Sequence, residues 1–455
     1  MPFIGRILHY APDREIAVEH VLDLKEDLYL NHHMFIHAPG LKPPSACLPV
    51  LPLTFGLEMM AEVAACLAPG HGCIGFENVL ASRWIELKDV NTLALEITGR
   101  LSREDLQLLA RFVEVKVFIK GDDTPALTGT VCFGRRYLLS IRHRFDELAD
   151  ISSFFMTPER LYRERHLFHG PLFHCISAIR GVGDQGLVGE ITVPSGGGLF
   201  RSLQSPQLLT APIVLDGLLQ LSTALAMGEE WRPLPMSIEK LETYCPTPAA
   251  GTRLPVHAKV TRIGLKRLSA DFEVQDGSGM VWARIRGCTF WMFDWKKKII
   301  DYFRLPQNHL LCSEQKLPLM PRDAVCQTFG GEDLHDLNLD WLARISLHVD
   351  EMDTFFQFGK KTTHQRHWLF GRVAAKDAVR LWLARQASSQ MLHPAAFSIV
   401  KGPKGPPVVE NPSGAGDVPQ ISITHANDRA IAIVHKQRLG IDMEVLEPRD
   451  AAFLE

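Results

Sequence analysis

Two apolar helices, each opened by a proline and each followed by alternating strand-like segments, lie about 160 residues apart in this 455-residue chain. The first runs from Pro52 to about Leu67. It precedes CIGFENVLASRWIEL, NTLALEITGRL, LLARFVEVKVFIK and PALTGTVCFGRRYLL. The second runs from Pro212 to about Met227 and precedes MSIEKLETYC, RLPVHAKVTRI, RLSADFEVQD and MVWARIRGCTFWMF. Proline suits the first helical position, where its missing N–H costs nothing. The repeat is read as a diverged internal duplication. One apolar helix with an antiparallel meander after it predicts an α+β unit, a sheet wrapped on a buried helix. The expected boundaries are a first half over 1–140, a second over 154–296 and a linker over 297–338. The segment 141–153 should connect the halves. A third region, 339–455, carries the helix HQRHWLFGRVAAKDAVRLWLARQ, a Gly/Pro-rich stretch KGPKGPPVVENPSGAGD, and the strand-like ISITHANDRAIAIVH and LGIDMEVL.

Composition limits the partners. An apolar fraction of 46%, 22% charged residues and a net charge of −3 are those of an ordinary globular chain. They give no reason to expect nucleic acid or an anionic membrane as partner. The longest apolar runs contain acids and are too short to span a bilayer comfortably. The N-terminus lacks a signal-peptide profile. Nine scattered cysteines with no CxxC pair argue against a zinc ribbon or a disulfide framework and suggest a cytoplasmic setting.

The second helix carries one acid, Asp216. On a helical wheel of roughly 100° per residue, Asp216, Gln220 and Thr223 share a sector about 60° wide. Apolar side chains hold nearly all the rest, and no Lys, Arg or Glu occurs between Pro212 and Met227. Such a helix is expected to be buried, although a solvated Asp216 stays open. A buried carboxyl must be paired, hydrogen-bonded or protonated, and a protonated one can serve as a general acid. The first helix has a similar stripe, Thr54, Glu58 and Glu62, which could equally face solvent. A base is available in LNHHMFIHAPG, with His32, His33 and His37. Those three could instead bind a metal, or be loop residues without a role.

These segments together resemble the dehydratase domain of modular polyketide synthases, a double hot-dog fold. NHHMFIH before LPVLPLTFGLEMMAEVA is similar to that family's histidine loop and first helix, with His33 at the histidine. APIVLDGLLQ is similar to HPxxLDxxxQ, which puts Asp216 at the catalytic acid and Gln220 at the glutamine. HGPLF at 169–173 resembles YGPxF, and LPMSI at 234–238 matches LPxSI. The chain departs in a longer gap from His33 to Pro52, in His37 for a glycine, His169 for the tyrosine and Ala211 for a histidine. His37 and His32 therefore stand as rival bases.

The resemblance implies that a 3-hydroxyacyl thioester on an acyl carrier protein loses water to give a 2-enoyl thioester. His33 would take the α proton and Asp216 would protonate the leaving hydroxyl. Gln220, one helical turn on, would hold Asp216 in place, and Gln220, Gly170, Pro171 and His37 would contact substrate. No cofactor is needed. Other synthase domains and a second copy in a homodimer are the implied partners. Double-bond isomerisation, cyclisation, or a non-catalytic structural module remain alternatives.

The third region resembles a large-type phosphopantetheinyl transferase through GRVAAKDA, ISITH and GIDME. That implies coenzyme A contacts at His425, Arg372 and Lys376, and Mg²⁺ ligands at Asp442 and Glu444. The FxxKEA helix expected next is absent, so this partial α+β region is expected to be incomplete.

Overall fold

The computed structural model describes residues 1–139, 142, 145, 148, 150–225, 231–262, 266–333, 337–359, 362–403, 405–410 and 418–445. Six residues of the expected connector 141–153, the predicted helix end at Met227, much of the Gly/Pro-rich stretch and the last ten residues lie outside them. The chain divides into two compact units. The first comprises Met1–Phe35 and Pro44–Asp294, the second Ile36–Pro43 and Trp295–Glu455.

The first unit is a 12-stranded antiparallel sheet holding two helices. Its first half has β1 (Arg6–Ala11), β2 (Glu15–Asp23), helix α1 (Leu53–Ala65), β3 (Gly72–Ala81), β4 (Thr92–Asp105), β5 (Ala110–Ile119) and β6 (Leu127–Gly134). A short helix α2 (Pro158–Arg163) opens the second half. There follow β7 (Ile176–Gly183), β8 (Gly186–Thr192), α3 (Pro212–Leu225), β9 (Trp231–Thr243), β10 (Arg253–Arg262), β11 (Arg267–Gln275) and β12 (Val281–Asp294). The strand order is β1-β2-β4-β5-β6-β3-β9-β12-β11-β10-β8-β7. Read from the two ends inward, each half repeats the same sequence of pairings. In each, two strands precede the helix and four follow it. This is the double hot-dog arrangement, with the eight predicted strands in place and β1, β2, β7 and β8 added by the structure.

The halves join where β3 pairs antiparallel with β9, Phe76 opposite Leu241 and Val79 opposite Ile238. Gly75 is required at this seam, because a Cβ there would lie 2.1 Å from the Leu241 carbonyl oxygen. LPMSI lies in β9, which pairs with both β3 and β12, so its apolar residues serve the centre of the sheet. The core is continuous from Phe3 to Met292 and includes Phe55, Leu57, Met60, Leu218 and Leu221. Each fully buried large aliphatic side chain contributes about 1.5–3 kcal/mol relative to exposure.

The stripe of α1 does not face solvent. Thr54, Glu58 and Glu62 are all buried. Glu58 accepts from the Leu209 and Thr210 amides, both at 2.7 Å, and from the Thr210 hydroxyl at 2.5 Å. Glu62 accepts from the Phe3 amide at 2.6 Å. A lone buried carboxylate would be costly; these donors satisfy Glu58, while Glu62 Oε1 stays buried without a partner among the described residues and burial raises that carboxyl's pKa to about 8. Glu58 thereby ties α1 to the segment that leads into α3.

The second unit corrects the predicted linker over 297–338. That stretch contains α4 (Lys297–Arg304), β13 (Ser313–Gln315) and β14 (Val325–Gly330). With β17 (Gln420–Ala426) and β18 (Arg429–His435) they form a sheet in the order β13-β14-β18-β17. The alternating VCQTFG has its partner in β18, about a hundred residues later, which is why it reads as irregular alone. Helices α5 (Leu339–Ser346), α6 (Val349–Gln357) and α7 (Thr362–Ala387) and the hairpin β15 (Ser398–Lys401) and β16 (Pro407–Glu410) complete the unit. Among the described residues, no helix is long and apolar enough to cross a membrane. The nine cysteines are free.

Candidate active site

His33 ends a 3₁₀ turn, Leu28–His32, and is clamped to Val50, seventeen residues later. The Val50 amide donates to the His33 carbonyl at 3.1 Å. The His33 ring meets the Val50 carbonyl through Nδ1 at 2.7 Å. A carbonyl only accepts, so Nδ1 carries the hydrogen and Nε2 is left with its lone pair. The rings of Phe168, His169 and Phe173 surround it, at centroid distances of 4.8, 5.1 and 5.6 Å. Burial holds the imidazole neutral, with its pKa pushed down to about 4.

Asp216 is buried on α3, one turn before Gln220. Gly217 lets this helix approach Cys175, whose Sγ would be 2.2 Å from any Cβ at that position. The approach brings Gln220 Nε2 to the Phe173 carbonyl at 3.2 Å and to Asp216 Oδ2 at 2.7 Å. Tyr162 donates to Gln220 Oε1 at 2.8 Å and fixes the amide orientation. Both Gln220 hydrogens are thus committed. Gln220 holds the acid, as expected, and no hydrogen of its amide is left for the substrate contact also expected of it. Burial pushes the Asp216 carboxyl up to about 7, with the Gln220 hydrogen bond opposing in part.

The two halves meet through HGPLF. The Gly170 amide donates to the His32 carbonyl at 2.7 Å, and the Leu172 amide donates to His32 Nδ1 at 3.4 Å. A side chain on Gly170 would come within 3.0 Å of the His32 Cα. Pro171 begins the one-turn 3₁₀ helix Pro171–Phe173 and is exposed. Gly170 and Pro171 therefore build the junction, a different task from the predicted substrate contact. His169 Nε2 lies 3.3 Å from Asp216 Oδ2. One ring nitrogen from each of His33 and His169 and one Asp216 oxygen all lie within 4.8 Å of one another. Burial and the nearby His33 hold His169 neutral, with its pKa well below the ordinary histidine value. Below about pH 7 the His169–Asp216 contact is accordingly a neutral hydrogen bond and not an ion pair.

Residues 156–297 match a known family. It is described as "Polyketide synthase dehydratase N-terminal domain". No curated protein matches the chain. Among solved structures, the dehydratase domain from the CurF module of curacin polyketide synthase is similar at 16% identity, over 64% of this chain and 98% of that one, with a TM-score of 0.48. The domain from the CurJ module gives 15%, 64%, 96% and 0.49. A trans-AT polyketide synthase dehydratase domain from Brevibacillus brevis gives 18%, 64%, 98% and 0.47. The family match does not reach the third region, whose transferase resemblance rests on its own motifs.

The rival bases separate. His32 is held by Leu172 as described. His37 belongs to the second unit, where its carbonyl accepts from His393 Nε2 at 2.9 Å, so the first unit's His–Asp pair is built without it. The three-histidine metal set is not among the clusters of possible ligands in the described residues.

In the second unit, Lys376 is fully buried, 2.7 Å from Glu351, and donates to the Pro394 and Phe397 carbonyls. Its three donors are spent inside the fold, which corrects its predicted coenzyme A contact. Arg372 lies 3.6 Å from the same Glu351 and over the Trp368 ring. His425 is exposed, its ring 5.1 Å from that of His367. ISITH and GIDME do meet, through Thr424 donating to Asp442 Oδ1 at 3.0 Å. Asp442 and Glu444 are both exposed and belong to no group of three possible ligands among the described residues. Mg²⁺ requires near-octahedral oxygen ligation, and these residues do not supply a fitted site for it.

Sequence reasoning gave His169 no role and did not single out Tyr162. The HGPLF motif placed His169 beside Gly170, yet nothing in the residue order says that it reaches Asp216.

Proposed function

We propose that the double hot-dog unit removes water from a 3-hydroxyacyl thioester, carried by an acyl carrier protein, to give a 2-enoyl thioester. One observation carries this reading: an imidazole nitrogen from one half and a carboxyl oxygen from the other lie within 4.8 Å of each other, where burial favours the neutral form of both. That spacing suits two neighbouring carbons of one acyl chain. His33 Nε2 takes the proton from the carbon α to the thioester. The C–H electron pair becomes the double bond, and the 3-hydroxyl departs with the proton of Asp216 as water. Tyr162 and Gln220 keep the carboxyl aimed. The first amides of α1, on Leu53 and Thr54, are the candidate donors to the enolate oxygen, where the helix dipole favours negative charge. The family matched by residues 156–297 supports the same reaction class.

The test is incubation of the full chain with 3-hydroxybutyryl and longer thioesters, following loss of one water by mass. Enoyl product from the parent and none from H33A or D216N supports the proposal. No loss of water with any chain length, or loss undiminished in both variants, sinks it. A shifted double bond without water loss would point to isomerisation instead.

A further inference from the structure

Dehydration leaves this site in the wrong protonation state. His33 has gained a proton and Asp216 has lost one, so a proton must cross between them before the next turnover. Both groups are buried, His33 against the rings of Phe168 and Phe173, which restricts direct exchange with bulk water. His169 stands at the crossing point. Its Nε2 touches Asp216 Oδ2 at 3.3 Å, and its ring centroid is 5.1 Å from that of His33. Its Nδ1 is buried with no hydrogen-bond partner. Such an orphan is costly, and a buried polar atom left unsatisfied in this way calls for a functional account.

Resting on the dehydratase reading, we infer that His169 is a relay residue that returns the proton from His33 to Asp216. At rest, Gln220 Nε2 and His169 Nε2 both approach Oδ2, so Oδ1 is the oxygen left to carry the acid proton. After the hydroxyl has left, the His33 proton passes to one nitrogen of His169. The proton on His169 Nε2 passes to Asp216. Both groups return to neutral, His169 is left with its hydrogen on Nδ1, and exchange through water restores its Nε2–H tautomer before the next turnover, so no external reagent is consumed. His33, Arg165 and His174 around His169 disfavour a standing charge on it, which suits a group the proton crosses and does not occupy. A tyrosine, which the dehydratase pattern places here, has a single oxygen and can hold Asp216, but has no second ring site to receive the proton.

The experiment separates the first turnover from the later ones. The full chain in excess over 3-hydroxybutyryl-pantetheine reports the first elimination, and excess substrate reports steady-state turnover. H169Q and H169F are compared with the parent, with folding checked by circular dichroism. H169Q keeps a donor toward Oδ2 and serves if H169F does not fold. The expected result is a first turnover within about threefold of the parent and a steady-state rate lower by about 10²-fold. Added imidazole should restore that rate in proportion to its concentration, since imidazolium can reprotonate Asp216 and imidazole can take the proton from His33. Unchanged steady-state turnover in H169Q overturns the relay, as does equal loss of both phases with no buffer response. A parent chain that forms no enoyl product removes the dehydratase reading itself, and the relay with it. An active parent with indifferent variants removes the relay alone.

Discussion

Helices α1 and α3 occupy equivalent places in the two halves, and each buries acids in the same apolar core. The acids are treated differently. Glu58 has donors from Leu209, Thr210 and the Thr210 hydroxyl, while Glu62 has the Phe3 amide and burial pushes its carboxyl up to about 8. Asp216 has one amide donor, from Gln220, and an imidazole that can also titrate. On α1, Glu58 spends both its oxygens on fastening the chain, while Glu62 commits Oε2 alone. On α3, Asp216 keeps an oxygen uncommitted, facing a histidine. Duplication supplied two equivalent buried helices, and the difference in their hydrogen bonding decides which is scaffold and which can do chemistry.

The largest expected effect comes from removing the uncommitted pair. H33A and D216N should each lower turnover by about 10³-fold with near-parental thermal unfolding, measured by mass-detected dehydration and by calorimetry. A similar loss from E58Q in a fully folded sample would break the distinction between the helices. Removing the fastening acid should act on stability instead. E58A strands three donors and should lower the unfolding free energy by about 3 kcal/mol in a denaturant titration. An unchanged midpoint would show that the Glu58 contacts do not hold the halves.

The pH profile sharpens the comparison further. Asp216 must be protonated, so activity should fall as pH rises through about 7. His33 must be neutral, so it should also fall as pH drops through about 4. Each limb should reach about tenfold per pH unit in kcat/KM. A profile that keeps rising above pH 8 would mean that an ionised Asp216 is the active form. The smallest effect belongs to Tyr162. Y162F removes one hydrogen bond to Gln220 and should cost about 1 kcal/mol, near fivefold in kcat, with substrate affinity unchanged. A larger rise in KM than fall in kcat would place Gln220 back among the substrate contacts.

The second unit shows the limit of reading charged motifs as sites. GRVAAKDAVR contributes a buried network in which Lys376 pairs with Glu351, and Arg380 with Asp377 at 2.6 Å. Asp377 also accepts from the Leu311 and Cys312 amides. These charges are satisfied inside the fold. Helical spacing shows the Arg380–Asp377 pair, three residues apart, but not the burial of Lys376 or the amides on Asp377, whose partners come from segments tens of residues away.

The sequence by itself determined the two proline-led helices, the eight strands that follow them, and Asp216 with Gln220 one turn on. Those features depend on local periodicity and on neighbours along one helix, which residue order records directly. Only the tertiary structure decided that 297–338 supplies strands, that Glu58 and Glu62 face inward, that His37 lies in the other unit, and that His169 touches Asp216. Each of those depends on a contact between residues far apart in the chain, where the partner's identity and geometry are set by packing and leave no periodic mark.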